Sequence, residues 1–272
     1  MPLRQFLRRK TIDSFDEQWR VLPEGSGLLS DERFRGDVVR ILREEELCID
    51  PAWFAGKRVL DAGCGNGRWT YGFLRLGAEV TALDASQAAC DAVRRTFPGE
   101  PRLEVIHGDV LAPPPALSER RFDLVFAWGL LHHTGDARLG LRNLCRLSDE
   151  DGFVYLYLYG RGSLRPRTRA RIELVRFLLL PFSARIKRKL LSLWYRGERL
   201  HGAYDLLSPP INARFREADV RRWFAEEGFT QVRRTIRHSE LFLEAWRPGA
   251  AVAKAFREPR DPPYWFQKLA SG

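Results

Sequence analysis

The chain has 272 residues, 44% hydrophobic and 29% charged, enough to bury the core of one large domain or of one domain with an insertion. Its net charge of +10, nearly all of it from arginine, suggests either acidic partners of some kind or a GC-rich genome. No apolar run approaches a bilayer span, no apolar h-region follows the basic segment Met1 to Lys10, and Cys48, Cys64, Cys90 and Cys145 have neither zinc nor disulfide spacing, so no spanning helix, targeting segment or disulfide scaffold is expected, and a cytoplasmic protein is.

Residues 1–57 precede the core and read as helical over Thr11 to Trp19 and Asp31 to Leu47. Asp31 is the expected N-cap of the second helix, with Val38, Val39, Ile41, Leu42 and Leu47 as its apolar face. The stretch from Val59 to Arg68 then reads as strand, glycine turn, helix. Gly63, Gly65 and Gly67 permit positive φ and remove side chains where a ligand would touch backbone. The helix they open, Trp69 to Leu76, presents free N–H groups to an anionic group. The spacing is G-x-G-x-G, not the G-x-G-x-x-G of dinucleotide folds, and Asp61 precedes it.

The alternation continues. Ala78 to Leu83 is a second strand ending in Asp84, and Ser86 caps a helix to Thr96. An acid at the end of the second strand suits a ribose, because one carboxylate accepts from two hydroxyls. Arg102 to His107 is a third strand, followed by Gly108-Asp109-Val110. Phe122 to Ala127 is a fourth, running into Trp128-Gly129-Leu130-Leu131-His132-His133-Thr134. A helix from Asp136 to Leu147 and a fifth strand from Gly152 to Tyr159 come next. This pattern predicts an α/β, Rossmann-like open sheet, mostly parallel, with helices on both faces.

Between Arg161 and Leu200 the composition changes. Twelve basic residues face two acids there, and the rest of the chain is balanced, so the whole net charge is local. Ile186, Leu190, Leu193 and Trp194 share one helical face, opposite Arg185, Arg188, Lys189, Ser192 and Arg196, and a break is expected at Pro181. Such a basic amphipathic cap either packs its apolar face on the core, binds an anionic or lipid-linked substrate, or docks on an acidic membrane surface. Tyr204 to Phe215, with Pro209 and Pro210, reads as a rigid loop beside the site. A helix over 217–227 and strands over 230–236 and 240–246 complete the fold, giving about seven strands. The expected organisation is a helical lid (1–57), a core (58–160), the cap (161–202), the rest of the core (203–247) and a tail (248–272). The tail spells Asp261-Pro262-Pro263-Tyr264, a phrase of adenine amino-methyltransferases, but far from the fourth strand's end, where that chemistry needs it.

The glycine turn after Asp61, the acids at three successive strand ends and the Leu-His-His phrase resemble the class I S-adenosylmethionine-dependent methyltransferases over about residues 57–160. The phrase Ser14-Phe15-Asp16-Glu17-Gln18-Trp19 is similar to an N-terminal signature of small-molecule members. The resemblance implies an antiparallel last strand and a cofactor, S-adenosyl-L-methionine, converted to S-adenosyl-L-homocysteine. It implies that Asp61, Gly63, Gly65 and Gly67 hold the methionine part, that Asp84 and Ala85 hold the ribose, and that Asp109 and Val110 hold the adenine. Ala127 ends the fourth strand at the cofactor, and Trp19 covers it. Trp128, Tyr159, Tyr204, Asn212 and Arg214 are the expected substrate contacts. His132 is the preferred base, and His133 either a base or the residue that orients the loop. The implied activity is methyl transfer to a small-molecule, lipid-linked or glycan-linked acceptor, with oxygen favoured over nitrogen because an amine needs less help from a base. The competing readings are a nucleic-acid methyltransferase that uses the basic segment and a cofactor-binding interaction protein without catalysis. No metal site is expected.

Overall fold

The computed structural model describes residues 3–21 and 32–259. In chain order the helices are α1 (Leu3–Val21), α2 (Glu32–Ile41), α3 (Arg68–Arg75), α4 (Gln87–Thr96), α5 (Ala137–Leu147), α6 (Pro166–Leu179), α7 (Ala184–Leu191), α8 (Glu198–Leu207) and α9 (Glu217–Glu226). The strands are β1 (Arg58–Ala62), β2 (Glu79–Asp84), β3 (Leu103–His107), β4 (Phe122–Trp128), β5 (Ser148–Leu158), β6 (Gln231–Arg234) and β7 (Leu241–Trp246). They form one seven-stranded sheet in the order β3-β2-β1-β4-β5-β7-β6. β1 to β5 are parallel, and β7 runs antiparallel to both β5 and β6.

β1 is the centre because it can be buried on both faces. Leu60 lies level with Thr81 of β2 and Val125 of β4, and Val59, Leu60 and Ala62 have no exposed surface. Alternate residues feed two cores. On one face Leu60, Val125, Val154 and Leu156 pack under Leu141 and Leu144 of α5 and Val220 and Phe224 of α9. On the other, Val59, Phe126 and Tyr155 pack under Phe73 of α3 and Val38 of α2, with Phe126 stacked on Tyr155 at 4.8 Å. From β1 the chain turns one way to β2 and β3 and then crosses back to β4 on the other side. The carboxyl ends of β1 and β4 therefore flank the crevice where an α/β sheet binds its ligand.

The open sheet and its antiparallel last strand are as expected; four local features differ. α1 starts at Leu3, eight residues before the expected helix. The second N-terminal helix changes to a π turn over Leu42–Glu46, which sets the buried Glu46 against the Tyr155 hydroxyl and, at 3.2 Å, Trp128 Nε1. α8 occupies part of what reads as a proline-bounded loop, because the prolines at 209 and 210 restrict only the backbone beyond its C-terminus. The cap also turns to the core a face other than the apolar one expected: α7 buries Lys187 and Leu191, half-buries Leu190 and exposes Ile186, with Arg185 and Lys189 exposed beside it. Lys187 Nζ donates to the Ser208 carbonyl at 2.7 Å, so an ammonium with an apolar stem fills the place expected for a leucine. The proposed N-cap at Asp31 and the Asp-Pro-Pro-Tyr phrase lie outside the described residues.

Candidate active site

The cleft opens where the carboxyl ends of β2, β3 and β4 meet the underside of α1. Its empty space is about 530 Å³, the open solvent at its mouth included. Gly63 and Leu130 form one wall, Asp84 to Ser86 and Gly108 to Val110 the floor, and His133 and Thr134 one end. The roof is Arg8, Thr11, Ile12 and Phe15, one face of α1 at i, i+3, i+4 and i+7.

The glycine turn is shaped by close approach. Gly63 has φ +76° and Gly65 φ +52°. A Cβ on Gly65 would stand 2.8 Å from the Trp19 ring, and one on Gly63 would meet Leu130 at 3.0 Å. The Gly63 and Cys64 N–H groups donate to the Leu83 carbonyl at 2.7 and 3.2 Å, tying the turn to β2. Asp84 braces both turns, with Oδ2 accepting from Gly65 N at 2.9 Å and Oδ1 from Ser86 N at 2.8 Å. A carboxylate offers about four acceptor positions, so each oxygen keeps capacity for a ligand hydroxyl. Burial raises the Asp84 pKa, against the hydrogen bonds from Ser86 and Gly65.

Asp61 lies beneath the turn and not on the cleft wall. It is 1% exposed and accepts from Thr70 Oγ1 at 2.6 Å, and burial raises its pKa to about 7. Gly67 is the left-handed N-cap of α3, packed against Val93 and Phe97. Ala127 is fully buried in the sheet. Trp19 sits on the turn and 5.9 Å from the His201 ring. Ala85, Asp109 and Val110 are on the cleft floor, and Asp109 is ion-paired with Arg8 of the roof. Asp16 of α1 accepts from Ser86 Oγ at 2.7 Å and Ala88 N at 3.1 Å, which fixes the helix over the start of α4.

The two histidines part company. His133 lines the cleft, whereas His132 turns inward, 1% exposed, with its ring stacked 3.8 Å from Tyr159 and its Nδ1 without a hydrogen-bond partner among the described residues. His132, the base preferred from the sequence, therefore does not line the cleft: the two share a single tight turn over Leu131–His133, so consecutive side chains leave it in different directions. His133 Nδ1 is 2.7 Å from the Ile211 carbonyl. A carbonyl only accepts, so Nδ1 carries the proton and Nε2 the lone pair. Burial lowers the His133 pKa below its ordinary value, and the field of Asp205 opposes that shift.

The expected substrate contacts do not converge on the cleft. Tyr159 donates to Asp205 at 3.1 Å and lies under Arg214, which pairs with Glu240 at 3.4 Å. Both atoms of the Asn212 amide are buried and have no hydrogen-bond partner among the described residues. Tyr204 is fully buried on α8, its hydroxyl 3.3 Å from the Ala184 carbonyl. Trp128 belongs to the Glu46 and Tyr157 cluster, with the Arg68 guanidinium 4.7 Å above its ring. The loop after α8 positions the histidines: Ala213 N donates to the His132 carbonyl at 2.8 Å, and Ile211 holds His133. Of the roof residues, Arg8 precedes the helix expected from Thr11, and Thr11, Ile12 and Phe15 within it are not singled out by the sequence as cleft residues because their face mixes polar and apolar side chains. Their spacing is the signal that finds them.

The family of methyltransferase domains matches residues 59–152. The ubiquinone biosynthesis O-methyltransferase of Alkalilimnicola ehrlichii is 38% identical over 108 residues, 39% of this chain and 43% of that protein. Its mitochondrial namesake from Schizosaccharomyces pombe is 35% identical over 115 residues, 41% of each. The chain thus spans about two fifths of the length of these curated relatives. The magnesium protoporphyrin IX methyltransferase of Synechocystis PCC 6803, solved with SAM bound, shares the fold at a TM-score of 0.53 and 17% identity, covering 91% of this chain and 98% of that one. The domain match falls on the strands whose ends build the cleft, so residues 59–152 carry a methyltransferase domain.

Proposed function

We propose that the protein transfers the methyl group of S-adenosylmethionine to a hydroxyl oxygen of a small acceptor. The observation that carries this reading is His133, on the cleft wall with Nδ1 committed to Ile211 and Nε2 left as the basic atom. The O-methyltransferase names of the curated relatives support oxygen as the acceptor atom.

The residues present fit the cofactor. The glycine turn has no room for a Cβ at Gly65, Asp84 keeps acceptor capacity for the ribose hydroxyls, and Leu83, Val110, Leu130 and Ile12 give apolar walls for a purine beside Asp109. When bound, the cofactor supplies a methyl group already made electrophilic by its sulfonium. The protein then holds the acceptor in line and manages one proton. His133, kept neutral by burial, takes the hydroxyl proton on Nε2, and the field of Asp205 favours the imidazolium that results. Phe15, edge-on to the His133 ring at 4.9 Å, closes the site against water from the lid side.

Incubation with methyl-labelled S-adenosylmethionine and extracted small molecules and lipids tests the reading. Label is expected in a product that survives mild base, as a methyl ether does. Label in a base-labile ester or in an amine contradicts the proposed acceptor, and cofactor binding without transfer to any extract contradicts catalysis.

A further inference from the structure

The cap carries apolar surface that the core does not use. Thirteen large apolar side chains are exposed among the described residues, and nine of them fall between 174 and 195. Leu174, Phe177 and Leu178 are 58%, 70% and 59% exposed on α6, and Leu193 and Trp194, just after α7, are 72% and 74% exposed. Single exposed leucines need no explanation, but a cluster of this kind marks an interaction surface.

The charges lie along the same faces. Arg167, Arg171, Leu174 and Leu178 succeed one another at i, i+4, i+7 and i+11 of α6, so cations lead into the apolar stripe. Arg185 and Lys189 flank Ile186 on α7, and Arg196 comes just after Trp194. Of the twelve basic residues between 161 and 200, nine are exposed. The other three hold the cap in place. Arg176 donates to the Pro209 carbonyl at 2.6 Å, Lys187 to Ser208 at 2.7 Å, and Arg188 pairs with Glu17 of α1 at 2.8 Å. The patch is therefore a fixed surface.

We infer that α6, α7 and the turn after α7 form a docking surface for a lipid bilayer with anionic headgroups. Cations beside long apolar side chains match such an interface, where the apolar groups enter the acyl boundary and the cations meet phosphates. A second copy of the chain is a poor occupant, because the faces would bring like charges together. Nucleic acid satisfies the cations but leaves Leu174, Phe177, Leu178 and Leu193 facing a polar partner. The contact is peripheral, since no helix among the described residues is long and apolar enough to cross a membrane. The same segment is bonded to the loop that holds His133, through Ser208 and Pro209. Docking would set the cleft close to the surface from which an amphipathic acceptor is drawn. The inference does not rest on the proposed methyl transfer and fails separately from it.

The test is cosedimentation of the full chain with vesicles of phosphatidylcholine alone and of phosphatidylcholine mixed with phosphatidylglycerol, at low and raised salt. Two variants probe the two components: Leu193→Ser with Trp194→Ser, and Arg185→Gln with Lys189→Gln and Arg196→Gln. All five side chains are exposed, so the melting temperature should match wild type and confirm folding. The wild type should bind the anionic vesicles about tenfold or more better than neutral ones, and salt should weaken the preference as the screening length falls to about 8 Å at physiological ionic strength and below. Each variant should lose most of that binding. The inference is overturned if the wild type ignores anionic vesicles, or if both variants bind them as well as wild type does. It is also overturned if sedimentation equilibrium without lipid shows a dimer that the Leu193/Trp194 variant abolishes, or if random RNA displaces the chain from the vesicles.

Discussion

Replacing His133 by asparagine separates the ring's basicity from its structural hydrogen bond. In the native site Nδ1–H donates to the Ile211 carbonyl at 2.7 Å. Asparagine Nδ2 takes the place of Nδ1 and can make that bond, whereas His133→Ala would strand the carbonyl at a cost of about 1–3 kcal/mol. The group that His133→Asn removes is Nε2. A positioned general base contributes roughly 10²–10⁴ in rate, or about 3–5 kcal/mol of barrier. Turnover should therefore fall at least about a hundredfold, with cofactor affinity nearly unchanged. The pH profile gives a second readout. Burial lowers the His133 pKa, so the wild-type rate should rise with pH along a limb centred below the ordinary histidine value of about 6.5, and that limb should vanish in the variant. Methyl transfer from labelled cofactor, assayed across pH with the best acceptor of the extract screen, measures both. A variant within a few-fold of wild type that keeps its acid limb refutes the assignment and leaves proximity alone to drive the reaction.

Two further predictions concern the glycine turn and the acid below it. Gly65→Ala places a Cβ at positive φ, costing about 1–2 kcal/mol, and 2.8 Å from the Trp19 ring. Only the second part should disappear in a Trp19→Ala background, giving a coupling of about 0.5–3 kcal/mol in urea denaturation; strict additivity would show that Trp19 does not clamp the turn. Asp61, raised from 3.8 to about 7 by burial, binds its proton more tightly folded than unfolded. Its contribution to stability is complete below the unfolded value and is lost as pH rises through the folded one, on the order of 4 kcal/mol across the window. Asp61→Asn should flatten part of the fall in melting temperature over that range, with the other buried acids raised in the same way, Glu244 (to about 8) and Asp84, contributing to the rest. An unchanged slope would mean that Asp61 is ionised throughout.

The sheet was legible because each parallel strand is a short apolar run closed by a glycine or an acid, and every crossover helix has its own start signal. Ser86 and Asp136 both accept from the backbone three residues on, as N-caps do. The lid was half legible. Its first turns are basic, and the face that roofs the cleft mixes Arg8 and Thr11 with Ile12 and Phe15, so hydrophobic periodicity does not mark it. The cap's amphipathic pattern was legible as periodicity, but the buried stripe is Lys187 and Leu191 and not the apolar face of Ile186, Leu193 and Trp194. Sequence shows which residues share a face; it does not show that the Ser208 and Pro209 carbonyls draw a lysine and an arginine inward. The choice between His132 and His133 was not legible, because both belong to one tight turn and only the position of Ile211 decides which faces the cleft.

The central claim is that S-adenosylmethionine binds between the glycine turn, Asp84 and Asp109. Isothermal titration of S-adenosylmethionine and S-adenosylhomocysteine into wild type and Asp84→Asn tests it most directly. Asparagine keeps the shape of the side chain and one acceptor oxygen, but it loses the charge and the second oxygen that a ribose hydroxyl would meet. A hydrogen bond to a charged group is worth about 1.5–3 kcal/mol, so both ligands should bind wild type and bind the folded variant about tenfold or more weakly. Equal affinity for wild type and variant, or no binding of either ligand to wild type, would contradict the account.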